Sequence, residues 1–181
     1  MARVTVFTLG GTISARGGDA ARMSGQEVLA ELGGDHDIVL NDFRRVPSST
    51  LTHADLAALA AEIRATVAAG SGVVVVQGTD TLEETAFLLD LLCTTEQPIA
   101  VTGAMRRPDL PGADGPANLA AALAVAADPA CRDLGVLVVL ADEIHAARLA
   151  RKSHTTSVAT FTSPGAGPSA PGRSGRRMAP V

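Results

Sequence analysis

Threonine hydroxyls recur in this sequence directly behind short apolar runs. Thr8 and Thr12 follow the first, Thr79 the second and Thr102 the third. Asp80 adjoins Thr79, Arg106 lies beyond Thr102, and a fourth cluster over 148–156 sets Lys152 among hydroxyl residues. These residue types suit acyl transfer through a threonine nucleophile. Such a hydroxyl is weak at neutral pH and needs a base, for example a lysine beside a carboxylate. The glycines beside Thr12 would let backbone N–H groups approach an oxyanion. Plainer readings stand next to this one, since a threonine at a strand end is also an ordinary turn or cap residue. Gly10-Gly11-Thr12 could also be a phosphate-binding turn. It lacks the GxGxxG spacing and the P-loop lysine, which argues against a nucleotide.

Groups of this kind need a scaffold, and the intervening sequence reads as one. Residues 4–9 are apolar and β-branched and stop at Gly10-Gly11, a buried strand entering a glycine turn. Ser24, with Glu27 three residues on, suggests a capping box and a short helix over 24–32. Thr52 and Asp55 repeat that pattern ahead of a longer helix over 52–69, where Leu56, Leu59, Ile63 and Val67 recur at helical spacing. Val73-Val74-Val75-Val76 is an apolar strand of the kind buried on both faces. A helix over 82–92, a strand over 98–101, a helix beginning near Asp114-Gly115-Pro116 and a strand over 135–140 follow. The last strand ends at Ala141-Asp142-Glu143. Asp as N-cap and Pro in the first turn account for Asp114, Gly115, Pro116 and Asn118 as a loop and helix start. Strands alternating with helices, with small and polar residues after the strands, predict an open, doubly wound, mainly parallel α/β sheet. Ligands of such a sheet sit beyond the carboxyl ends of its strands.

Composition bounds the partners. The 181 residues fit one domain, and a hydrophobic share of 46% permits a sizeable core. With no Trp and no Tyr, that core must be aliphatic. A net charge of −4 gives no broad electrostatic reason to expect nucleic acid or an anionic membrane. No apolar run is long enough to span a bilayer, and no leader pattern precedes the first strand. Cys93 and Cys131 lie at no metal-ligand spacing and are too few for a disulfide framework. Cys93, inside an apolar run, reads as a small buried hydrophobe. The expectation is a cytoplasmic protein without metal or cofactor. From Pro164 onward Pro, Gly and Arg dominate with no acid, which predicts an irregular tail.

Taken together the motifs are no longer anonymous. Phe7-Thr8-Leu9-Gly10-Gly11-Thr12-Ile13 and Gln77-Gly78-Thr79-Asp80-Thr81-Leu82-Glu83-Glu84-Thr85-Ala86 resemble the two signatures of the bacterial-type L-asparaginase/glutaminase family. Thr102-Gly103-Ala104-Met105-Arg106, Asp114-Gly115-Pro116-Ala117-Asn118-Leu119 and the stretch from Gly135 through Asp142, Arg148, Lys152 and Ala159-Thr160-Phe161 continue in register. The resemblance covers residues 3 to about 168. It implies an α/β N-terminal domain in which a threonine attacks a side-chain amide and forms an acyl-enzyme that water hydrolyses. Carried over, Thr12 is the nucleophile, and Thr79 with Lys152 is a hydroxyl–amine pair for proton transfer. Asp80 takes the substrate α-ammonium and keeps Lys152 in place. Ser48, and more weakly Ser49, fall at the α-carboxylate, and Ala104 where a backbone carbonyl meets the leaving amide.

Two departures accompany the resemblance. Many relatives carry a tyrosine on the loop after the first strand, which this chain lacks; Ser24 stands near as a substitute hydroxyl or simply as a helix cap. Relatives also continue into a smaller C-terminal domain, supplied to the site by a neighbouring subunit of a homo-oligomer. Here the resemblance stops after Pro168. The expected partition is therefore a family N-terminal domain over 1–168 and an out-of-family tail over 169–181, a family chain cut short. The leading function is hydrolysis of L-asparagine, with L-glutamine as the other candidate substrate. A non-catalytic remnant and an ammonia-releasing module with a separately encoded partner are the alternatives.

Overall fold

The computed structural model describes residues 3–16, 21–22, 26–27 and 37–168. The short helix expected over 24–32 lies outside the described residues apart from the helical pair Gln26 and Glu27. Ser24 and the tail over 169–181 lie outside them altogether.

Six strands form the central sheet: β1 (Val4–Thr8), β4 (Ile38–Asp42), β5 (Gly72–Val76), β6 (Ile99–Thr102), β7 (Val136–Leu140) and β8 (Glu143–Ala146). They lie side by side in the order β4-β1-β5-β6-β7-β8. All pair in parallel except β8, which returns antiparallel to β7. Two short antiparallel ribbons lie apart from the sheet. One pairs β2 (Ala15–Arg16) with β3 (Ala21–Arg22), the other β9 (Arg151–Lys152) with β10 (Phe161–Thr162).

The central strands are apolar throughout because both faces are covered. Val6, Val74, Ala100 and Leu137 stand in register across β1, β5, β6 and β7, and all four belong to one apolar cluster. Helix α3 (Gly115–Ala127) covers that face with Leu119, Ala122, Val125 and Ala126. One step along, Phe7, Val75, Val101 and Val138 face the opposite cluster. There α1 (His53–Ala68) contributes Leu59, Ile63 and Val67, and α2 (Leu82–Leu92) contributes Leu82, Ala86 and Leu89. Helices thus lie on both faces of a mainly parallel sheet. Cys93 and Cys131 are buried in these clusters.

The start of α1 is fixed locally. Thr52 Oγ1 accepts the Asp55 N–H while the Asp55 carboxylate accepts the Thr52 N–H, a reciprocal capping box. The Thr52 hydroxyl, which donates to the Asp55 carboxylate at 2.6 Å, then the Thr52 N–H and Arg44, hold that carboxyl down at about 2.

The strand order reverses between β1 and β5, since the chain runs outward to β4 and then returns to the other side of β1. In such sheets the crevice between the carboxyl ends at the reversal is the ligand-binding position.

β7 ends at Leu140, before Ala141-Asp142-Glu143 as expected. Ala141 and Asp142 adopt positive φ of 52° and 61° and turn β7 tightly into β8, a strand not expected from the sequence. On β8, His145 is buried, with Nδ1 2.9 Å from Ser163 Oγ and Nε2 3.4 Å from Glu143 Oε2. Burial holds the imidazole below its ordinary 6.5, opposed by the nearby Glu143 carboxylate. A base depressed in the fold contributes fully above its unfolded pKa. Below 6.5 the unfolded chain takes up a proton that the fold resists, so stability falls with pH. The urea midpoint should therefore drop between about pH 7.5 and about pH 5, and His145→Gln should drop less. Asp55, titrating near 2, does not contribute in that window. An equal acid loss in His145→Gln would exclude His145 as its source.

Candidate active site

The turn after β1 is built from Leu9, Gly10 and Gly11. Leu9 prolongs the parallel ladder by one step, its N–H donating to Val76 O at 2.8 Å. Gly11, at φ 94°, then lies flat against the turn after β5: a Cβ added there would stand 2.2 Å from Gly78 N. A short 3-10 turn, Thr12–Ser14, follows and is closed by the Ser14 hydroxyl on Gly11 O at 3.0 Å. Thr12 is half-buried. Its neighbour Ile13 is buried in the cluster that also holds Ala104, next to Gly115. The turn is thus pinned on both sides of Thr12.

From β5 the chain passes Gln77 and Gly78 into a second 3-10 turn, Thr79–Thr81, and directly into α2. Ser48 opens another 3-10 turn, Ser48–Thr50, and its carbonyl accepts the Thr81 hydroxyl at 3.0 Å. Its own Oγ is buried beside Gly78 and has no hydrogen-bond partner among the described residues. Ser49 is exposed on the same turn. An orphaned buried hydroxyl is uncommon and marks a place where a ligand oxygen or water fits.

Lys152, the chain's one lysine, sits on β9 opposite Phe161 of β10, which is itself anchored in the core. Its Nζ donates to Thr79 Oγ1 at 2.9 Å and to Asp80 Oδ1 at 3.2 Å. The lysine side chain is 17% exposed and the Asp80 side chain 75%. The amine is therefore sheltered while the carboxylate faces open space, in a recess of about 430 Å³ lined by Asp80, Lys152, Ser153, His154 and Thr155. The Thr79 hydroxyl also lies 3.4 Å from Met105 Sδ.

Met105 belongs to the turn after β6, and this turn is held by α3. The sequence makes Asp114 the N-cap of α3, but in the fold it forms no side-chain cap bond. Its carboxylate instead accepts the N–H groups of Met105 at 3.0 Å and Arg106 at 2.8 Å, and the Asn118 amide at 3.0 Å. Asn118 also donates to Gly103 O at 3.0 Å and accepts the Ala141 N–H at 2.9 Å. The Asp114 carboxylate thus finds three donors, more than a single helix N–H offers. Ala104, fully buried, is fixed in that turn.

Thr79, Asp80 and Lys152 are thus joined by hydrogen bonds, and Ser48 adjoins the same turn. Gly11, the residue before Thr12, lies against Gly78 at the start of that turn, and Ala104 shares an apolar cluster with Ile13, the residue after Thr12. Glu83 joins this group by accepting the Lys152 N–H, and nothing in the sequence singles it out. Its position in the Leu82-Glu83-Glu84 run carries only the ordinary preference for acid in a first helical turn. Among the described residues no group of three or more His, Cys, Asp or Glu could hold a metal, and no helix is long and apolar enough to cross a membrane.

Comparison with known proteins adds an independent line. The family profile described as the asparaginase N-terminal domain matches residues 3–177. A probable periplasmic L-asparaginase of Haemophilus influenzae is 36% identical over 174 residues, covering 91% of this chain and 50% of that protein. L-asparaginase 2 of Escherichia coli is 36% identical over 176 residues, again covering 91% and 50%. The crystal structure of a probable cytoplasmic L-asparaginase from Campylobacter jejuni superposes with a TM-score of 0.86 at 32% identity. It covers 93% of this chain and 53% of that one. The chain spans about half the length of these relatives.

Proposed function

The chain belongs to the asparaginase N-terminal family, and from that premise we propose that it houses the nucleophile and the proton-moving pair of an L-asparagine amidohydrolase. The reaction is L-asparagine and water to L-aspartate and ammonia. Thr12 Oγ1 attacks the side-chain amide carbon, and its proton leaves with the amide nitrogen as ammonia. Water then cleaves the acyl ester and returns a proton to Thr12. Thr79 and Lys152 carry these protons, and the turn at Gly10 and Gly11 faces the oxyanion. Asp80 meets the substrate α-ammonium and the orphaned Ser48 hydroxyl the α-carboxylate, with Ser49 at the rim. The Ala104 carbonyl meets the leaving amide.

The observation that carries this reading is the 2.9 Å bond from Lys152 Nζ to Thr79 Oγ1, with Asp80 beside it, at the reversal of strand order. The same bond favours a second reading, in which Thr79, the hydroxyl that holds the amine, carries the acyl group. One experiment addresses both. Ammonia release from L-asparagine is measured for the chain, Thr12→Ala and Thr79→Ala, and the acylated peptide is identified by mass spectrometry after acid quenching. Loss of release in Thr12→Ala with the acyl group on the Thr12 peptide supports the first reading. The group on the Thr79 peptide transfers the role to Thr79. Release indifferent to both substitutions withdraws the amidohydrolase reading.

A further inference from the structure

Lys152 sits on a short ribbon that lies outside the main sheet. Among the described residues strands β9 and β10 are two residues each and pair with one another. The Ser153 N–H on Thr160 O at 2.7 Å and the Ser153 hydroxyl on the same oxygen at 2.8 Å prolong the ribbon. A ribbon that short is marginal in water unless it packs against something. Phe161 anchors one strand in the core. The other strand must be held at a fixed distance from the Thr79–Thr81 turn, or Lys152 Nζ loses Thr79.

Glu83 supplies that hold. Its Oε2 accepts the backbone N–H of Lys152, and its Oε1 lies 3.3 Å from the Arg151 guanidinium. The carboxylate therefore grips both residues of β9. Its own position is set by the first turn of α2, which follows the Thr79–Thr81 turn without an intervening residue. One rigid segment thus presents the hydroxyl and, a turn later, the anchor of the strand that brings the amine. The helix N-terminus also favours the ionised carboxylate, and hydrogen bonds to an ionised acceptor are the stronger kind. Neighbouring Glu84 is exposed.

We infer that Glu83 is a positioning residue. Its carboxylate ties the Lys152 backbone to α2 and so sets the Lys152–Thr79 contact. This rests on the reading of Thr79 and Lys152 as the proton-moving pair, but its test does not need turnover.

Because Lys152 is the only lysine, amine acetylation can be followed at one side chain, with the chain's α-amine as an internal reference. The probe is acetic anhydride, and the Lys152 peptide is quantified by mass spectrometry across pH. Wild type should react slowly. E83A should react about tenfold faster with a displaced pH–rate profile, because loss of the anchor frees a sheltered amine. E83Q should stay within about twofold of wild type, since its amide oxygen still accepts the Lys152 N–H. E84A removes an equal charge from the same helix turn and should leave both rate and profile unchanged.

The inference is overturned if E83A matches wild type, or if E84A or E83Q matches E83A. If E83A does not fold, E83D, one methylene shorter, carries the same prediction. Failure of the amidohydrolase reading shows separately, as ammonia release indifferent to Thr12→Ala and Thr79→Ala.

Discussion

Gly11→Ala should lower stability by about 3–5 kcal/mol, while Gly70→Ala should lower it by about 1–2 kcal/mol. Both glycines have positive φ, 94° at Gly11 and 86° at Gly70. Among the described residues nothing lies within 4 Å of a Cβ added at Gly70, so only backbone strain opposes the substitution. At Gly11 the same atom would meet Gly78 N at 2.2 Å, Gly78 Cα at 2.4 Å and Gln77 C at 2.8 Å. All three are backbone atoms and cannot rotate aside. With ψ at −169°, Gly11 also occupies a region almost closed to side-chain-bearing residues, worth about 1–3 kcal/mol before any clash is counted. Urea unfolding of the two variants checks this. Equal losses would mean that the two turns do not touch.

The contact matters because it is the joint between the two turns that hold Thr12 and Thr79. A parallel sheet delivers its strand ends side by side, but bringing two backbones this close requires that neither carry a side chain. Gly11 meets Gly78, and Gly103 in turn lies against Gln77 O, 2.4 Å from its own absent Cβ. The glycines of three successive strand ends are therefore one structural device, which a reading of each motif by itself presents as three separate flexible turns.

How much of the fold could be read in advance follows burial. Val73-Val74-Val75-Val76 and residues 136–140 are apolar at every position because helices cover both faces, and such runs are unmistakable as strands. Helix α1 was legible at its start because Thr52 and Asp55 are local to each other. The edge strands were not. Residues 38–42 expose Val39 and end in Asn41 and Asp42, polar residues satisfied by distant partners such as Glu62 and Thr8. β8 carries Glu143 and His145 and is recognisable only once the turn at Ala141 and Asp142 is seen. Strands open on one side have no need of a continuous apolar run, so they leave no such signature.

For the candidate site, residue types were legible and partnerships were not. Thr79 and Lys152 are 73 positions apart, and nothing in spacing converts that separation into 2.9 Å. Asp114 shows the limit from the other side. Its place before Gly115-Pro116 fits a cap, yet its carboxylate serves Met105 and Arg106, because donors from the neighbouring turn are within reach and more numerous. The grip of Glu83 on β9 is likewise a tertiary fact. In sequence, Glu83 and Glu84 are equivalent acids at a helix start.

Lys152→Met should abolish most of the proposed turnover, by about 10²–10⁴-fold in kcat, the range general acid–base groups supply. Stability should change little. The ion pair it breaks has a carboxylate 75% exposed, and pairs of that kind contribute about 0–1 kcal/mol. Met keeps an unbranched aliphatic stem of similar length, so the loss falls on the amine alone: Thr79 loses its donor and Asp80 its cation. Lys152→Arg separates the two parts of that loss. The guanidinium keeps the positive charge beside Asp80 but cannot give up its proton, and its planar fork does not fit the single hydroxyl of Thr79. If the amine carries protons, the arginine variant should be as inactive as the methionine variant while binding L-aspartate better than it. If the amine only supplies charge, arginine should restore ammonia release to within about tenfold of wild type. Ammonia release and L-aspartate binding, measured together for the two variants, decide between them. Full activity in Lys152→Met would remove this residue from the reaction.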